Sequence, residues 1–160
     1  MQSDEVLDLV TALRQADCEI WIAGGWGVDA LVGHQTRPHR DLDLAVNVNN
    51  EEAVLHVLTS LGYLIDTDWR PVRVELARPN GGWVDVHPVT FDARRHGRQP
   101  ALDGGYFEYP PDAFGCGVID GVKVSCLSRE QQLRFHRGYE PRAQDLHDLQ
   151  VLQRVQTGST

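Results

Sequence analysis

Two rhythms of apolar residues run through this chain. Val6, Leu9, Val10 and Leu13 recur at helical spacing behind Ser3-Asp4-Glu5, a run that suits a helix start. Glu19 to Ala23 is a short apolar strand that runs into Gly24-Gly25 and a short helix, Trp26 to Val32, stopped by Gly33. Leu42 to Val48 reads as the next strand. Asn49 with Glu52 resembles a capping box for a helix whose Val54, Leu55, Leu58 and Leu61 form a stripe ended by Gly62. Val72–Ala77 and Trp83–Pro88 flank Pro79-Asn80-Gly81-Gly82, a hairpin signal, and Asp120-Gly121 predicts a second hairpin. Between them, residues 91–117 are rich in Gly, Pro and Arg and read as an irregular excursion, a kind of loop that is more often functional than idle. Ser128 with Gln131 predicts a capped helix to about Arg137. Pro141 opens a last helix with Leu146, Leu149 and Leu152 on one side. The order of elements predicts an α+β fold, a mixed β-sheet with helices mainly on one face.

The 160 residues suit one domain with a real core, its C-terminal helices spanning about 128–156. A net charge of −8 argues against general nucleic-acid binding, which normally shows a basic face. It leaves nucleotide binding open, because a metal ion can supply positive charge locally. Cys18, Cys116 and Cys126 are widely spaced with no Cys-x-x-Cys pair, which disfavours structural zinc and suits a reducing, cytoplasmic setting. No signal-peptide pattern and no apolar stretch near ~20 residues is present, so neither secretion nor a membrane span is expected.

The alternation changes meaning at Asp41-Leu42-Asp43. On a strand two carboxylates at i and i+2 share one face, and like charges so close repel unless a cation sits between them. Leu42, Leu44 and Val46 would take the core side. Asp85 sits on a second alternating strand, Trp83-Val-Asp-Val-His-Pro88. Pairing of the two strands would gather three carboxylates for one or two Mg²⁺ ions, with Asp85 able also to accept a proton from an attacking hydroxyl. His87 is either a neighbour of that cluster or a structural histidine. Gly24 and Gly25, between strand and helix, offer N–H groups to a phosphate. Arg37, His39 and Arg40 stand just before the pair, where Arg37 or Arg40 could bind phosphates or simply face solvent. Trp26 and Trp83 read as core residues before stacking surfaces.

The glycine pair, the Asp-x-Asp and the later third Asp together resemble the nucleotidyltransferase superfamily of DNA polymerase β type. Gly24-Gly-Trp-Gly-Val-Asp-Ala-Leu-Val-Gly33, Thr36-Arg-Pro-His-Arg-Asp-Leu-Asp-Leu44 and Val84-Asp-Val-His-Pro88 resemble the antibiotic nucleotidyltransferases. Cys126-Leu-Ser, His136-Arg-Gly-Tyr139 and Arg142-x-x-Asp145 are similar to the small lincosamide enzymes, with the aminoglycoside 2''-adenylyltransferases next. The resemblance implies a nucleotidyltransferase-like fold and transfer of AMP from Mg²⁺-bound ATP to a hydroxyl of an antibiotic, releasing pyrophosphate. It implies Asp41, Asp43 and Asp85 as metal ligands, Asp85 as base, and Gly24 and Gly25 at the triphosphate. It also implies a homodimer with its acceptor site near the subunit boundary and an acceptor pocket shaped by residues 91–117. Two other outcomes are a nucleotidyltransferase acting on a protein or RNA partner, as in toxin–antitoxin pairs, and an inactive nucleotide-binding module.

Overall fold

A computed structural model describes residues 1–155; residue 156, where the C-terminal helices were expected to end, lies outside them. The elements follow in chain order as α1 (Ser3–Gln15), β1 (Ile20–Ala23), α2 (Gly24–Val32), β2 (Asp41–Asn47) and α3 (Glu51–Ser60). Then come β3 (Leu64–Trp69), β4 (Arg73–Ala77), β5 (Trp83–Phe91), β6 (Gly97–Pro100), β7 (Tyr106–Tyr109), β8 (Phe114–Ile119) and β9 (Val122–Leu127). Helices α4 (Arg129–Phe135) and α5 (Ala143–Arg154) close the described chain. The strands form one mixed sheet in the order β3-β4-β5-β2-β1-β9-β8, with β6 and β7 continuing from the far end of β5. β2 runs parallel to β5 and β1 parallel to β9; the other pairs are antiparallel.

Alternation along the central strands sorts the two faces. Ile20, Ile22, Leu42, Leu44, Val46, Val84 and Val86 point one way, into a core closed by Val6, Leu9 and Leu13 of α1, Val54 and Leu58 of α3, and Trp26 and Ala30 of α2. Most of the helical cover therefore lies on this face, as the pattern predicted. The other face carries a smaller cluster of Trp21, Ala45, Val89, Tyr109 and Leu127, with Phe91, Phe114 and Phe135 packed against it. Beyond that cluster this second face holds the polar side chains of β2 and β5.

Several local expectations are corrected. Helix α2 begins at Gly24 rather than Trp26, because Gly24 at φ 56° turns the chain straight from strand into helix. The expected capping box at Asn49 and Glu52 does not form. Asn50 is the cap residue of α3, and its side-chain oxygen instead accepts from the Glu19 N–H at 3.0 Å. Leu61 falls at the helix end and is 38% exposed. Residues 91–117 are not irregular: they hold the β6–β7 hairpin and the start of β8. Strand β3 has no counterpart in the sequence reading. Helix α5 buries Asp145, Asp148 and Leu152, leaving Leu146 of the expected apolar stripe 48% exposed. The Ser128 cap forms as expected, its hydroxyl accepting from the Gln131 N–H.

Candidate active site

Register builds the site. Because Leu42 and Leu44 enter the helix-covered core, Asp41 and Asp43 face the opposite side of the sheet. Parallel pairing sets Asp43 opposite Asp85 and Ala45 opposite His87, while β4 sets Glu75 opposite Asp85 from the other flank. Ligand atoms of Asp43, Asp85 and His87 all lie within 4.8 Å of one another. Asp41 stands one step toward solvent, outside that group; its carboxylate is 3.6 Å from Arg40 Nε.

The electrostatics of Asp85 are unusual. Oδ2 accepts from Arg73 Nη1 at 2.6 Å, while Oδ1 is buried with no hydrogen-bond partner. Burial first, then the neighbouring negative charges of Asp43 and Glu75, pushes the carboxyl up to about 6, against the lowering effect of His87 and Arg73. An orphaned buried carboxylate oxygen beside a second carboxylate is the surrounding a hard cation fits.

The start of α2 faces the same place. A Cβ on Gly24 would sit 2.0 Å from Asp43 Oδ2, and one on Gly25 would sit 2.3 Å from His39 Nδ1, so the helix start reaches the carboxylates only as bare backbone. Among the described residues no side chain caps this helix start. Gln132 of α4 donates to the Gly24 carbonyl at 3.3 Å and ties that turn down.

The two arginines differ. Arg37 is bound twice to Asp148 of α5, Nε at 2.8 Å and Nη2 at 2.6 Å, while Nη1 donates to the Pro38 carbonyl at 3.3 Å. Arg40 is largely exposed and lies 4.7 Å over the Trp83 ring, and Trp83, half-buried and outside both apolar clusters, is a stacking surface rather than the core residue expected. His39 turns inward, its Nε2 2.5 Å from Asp29 Oδ2, while Asp29 Oδ1 accepts from the Thr36 hydroxyl at 2.6 Å. Its ring packs on Trp26, which is core as expected. This inner network fixes the loop that delivers Asp41.

Above the carboxylates opens a cavity of about 760 Å³, within the range of small-molecule sites. Gly24, Gly25, Arg37, Arg40, Asp41, Asp43 and Asp85 all line it. Gln99, Phe107 and Tyr109 come from the β6–β7 hairpin, and Phe135 and His136 from the end of α4 and the residue that follows it. Asp29, Gln99, Gln132 and Asp148 escaped the sequence reading, since an isolated polar residue in a helix or hairpin carries no spacing signal of its own.

The model of the aminoglycoside-2''-adenylyltransferase family matches residues 5–152. A lincosamide resistance protein of Staphylococcus haemolyticus is 35% identical over 150 residues, covering 94% of this chain and 91% of the relative. The lincomycin-bound crystal structure of the lincosamide antibiotic adenylyltransferase LnuA superposes with a TM-score of 0.88 at 31% identity, over 98% of this chain and 99% of that one. The solution structure of the antibiotic-resistance factor ANT(2'')-Ia shares the fold, with a TM-score of 0.76 at 19% identity over 94% and 82% of the two chains.

Proposed function

This chain belongs to the aminoglycoside-2''-adenylyltransferase family, and from that premise we propose that it transfers AMP from ATP to a hydroxyl of a lincosamide antibiotic, releasing pyrophosphate. The observation that carries the reading is Asp43 beside Asp85 at the foot of a cavity that also receives the uncapped start of α2. The similarity to a lincosamide resistance protein, higher than that to the aminoglycoside enzymes, supports the acceptor. The chain works as one nucleotidyltransferase domain in the cytoplasm.

In this reading the residues divide the work. The N–H groups of Gly24 and Gly25 donate to the triphosphate, and the helix start favours its negative charge. Arg40, whose guanidinium is accessible, reaches the outer phosphates, while Arg37 adds positive charge from its anchored place. Asp41, Asp43 and Asp85 would hold Mg²⁺, which neutralises the phosphates and the charge developing on pyrophosphate. Asp85 accepts the proton of the acceptor hydroxyl as its oxygen bonds to the α-phosphorus and the bond from that phosphorus to pyrophosphate breaks. The aromatic wall of Phe107 and Phe135 shapes the acceptor side.

Purified protein incubated with Mg-ATP and lincomycin gives an antibiotic heavier by one adenylyl unit and an equivalent of pyrophosphate. Asp43→Asn retains the fold, read by circular dichroism, and loses at least about a thousandfold in turnover. Near-normal turnover in that variant would overturn the assignment, and modification of kanamycin in place of lincomycin would reassign the acceptor. We also propose a homodimer; the exposed apolar side chains Leu64 and Ile65 on edge strand β3 support self-association. Sedimentation equilibrium at the mass of one chain would exclude it.

A further inference from the structure

Three buried or half-buried side chains lead away from the carboxylates in a line. The Tyr109 hydroxyl donates to Gln99 Oε1 at 2.6 Å, Gln99 Nε2 stands 3.1 Å from His87 Nδ1, and His87 Nε2 stands 3.4 Å from Asp43 Oδ1. Tyr109 is 2% exposed and Gln99 5%, so little of either side chain reaches the cavity that they help line. Among the described residues the Tyr109 hydroxyl has no hydrogen-bond partner besides Gln99. With the amide reversed, its O–H would be left buried without an acceptor. The amide oxygen therefore faces Tyr109, and the amide nitrogen faces the imidazole. A donating N–H requires a bare acceptor, which fixes Nδ1 as unprotonated and places the ring proton of neutral His87 on Nε2.

We propose that Gln99 and Tyr109 are positioning residues that hold His87 as an Nε2–H donor to Asp43, so that His87 is withheld from the cation although its nitrogen lies within reach. An N–H cannot coordinate a metal. The only nitrogen in the Asp43–Asp85–His87 group is thereby removed, and oxygen ligands alone remain. Oxygen-only sets suit Mg²⁺, whereas an imidazole nitrogen would favour Zn²⁺. The relay is thus a selectivity device: it lets a histidine steady a carboxylate without inviting the wrong ion. This rests on the proposed metal role of the carboxylates.

Long-range ¹H–¹⁵N correlation spectra of the metal-free protein, assigned with a His87→Gln control, report which ring nitrogen bears the proton. We expect the Nε2–H form in the wild type. Gln99→Glu places a carboxylate opposite Nδ1, which holds a proton there and lets Nε2 give up its own proton to solvent when a metal ion binds it. Calorimetric titration should then show Zn²⁺ affinity raised about tenfold or more, with Mg²⁺ affinity within about threefold. Tyr109→Phe frees the amide to turn and should give a mixture of both ring forms. An Nδ1–H form in the wild type overturns the proposal whether or not the variants fold. Absence of any Mg²⁺ binding by wild type showing the Nε2–H form would instead overturn the metal role, leaving the relay intact.

Discussion

A single methyl group separates Gly24 from a disrupted site. Its φ of 56° and the 2.0 Å approach of a built Cβ to Asp43 Oδ2 make alanine doubly unwelcome. Gly24→Ala is expected to push Asp43 aside and lower turnover about a hundredfold, with a melting temperature still showing a cooperative fold. Unchanged steady-state kinetics would show that the helix start does not need this closeness. Asp85 supplies a second test at the same scale. Its folded carboxyl holds a proton up to about 6 against an ordinary 3.8. Between those values the metal-free folded state binds more protons than the unfolded chain. The stability tied to this proton is full below 3.8 and is lost as pH rises through about 6. Asp85→Asn should therefore gain on the wild type as pH rises from about 4 to about 7, by ~3 kcal/mol at most, measured by urea unfolding in chelator. A difference that stays constant across that range would place the proton elsewhere. The pairing that Asp85 needs was readable as an alternation of Val84, Val86 with Asp85, His87. The burial that raises it was not, because it depends on what covers the strand.

Among the elements, those with strong periodicity were visible in advance and those without it were not. Helix α1 and strands β2, β4, β5 and β9 combine alternating or helical spacing with a turn or cap signal at one end, whereas of β8 only Val118 and Ile119 were legible. Strand β3 lacks the signature: five of its six residues are exposed and Asp66 and Asp68 interrupt it, as at many sheet edges. The β6–β7 hairpin hides behind proline, glycine and arginine because β6, Gly97–Pro100, pairs with β7 through residues that carry no apolar alternation. Helix α5 misleads in a different way. Its leucines suggest a buried stripe, yet Leu152 alone of them is fully buried, beside Asp145 and Asp148, and Arg37 neutralises Asp148 across 111 residues of sequence. Removing one member of such a pair leaves an uncompensated charge. Asp148→Ala should cost about 3 kcal/mol in denaturant unfolding and loosen α5 against the loop before β2. The double variant with Arg37→Ala should recover part of that loss. Strict additivity of the two would mean that the pair is not coupled.

Taken whole, the molecule places its carboxylates on strands that are paired on both sides. Strands β5, β2 and β1 are flanked on both sides in the sheet and bury most of their apolar side chains, whereas β3 and the β6–β7 hairpin lie at the margins. Hydrogen exchange followed by mass spectrometry should show β1, β2 and β5 exchanging last and β3 and the hairpin first. Early exchange of β2 would contradict this order. Charge acts at the same scale. A net charge of −8 would draw cationic antibiotics toward the protein over a distance that salt shortens.

The β6–β7 hairpin is attached to the sheet apart from the carboxylates. β6 joins β5 only through the Thr90–Arg98 and Phe91–Gly97 pairs, beyond the stretch that presents Asp85. Substitutions at Phe107, an exposed hairpin residue that lines the cavity, can reshape the proposed acceptor wall without moving the carboxylates or the register that aligns them. A lineage under pressure from a new drug can therefore explore its recognition surface one mutation at a time while the transfer chemistry is passed on intact. Laboratory selection for an altered antibiotic range should collect its changes on the hairpin and α4, and spare β2 and β5.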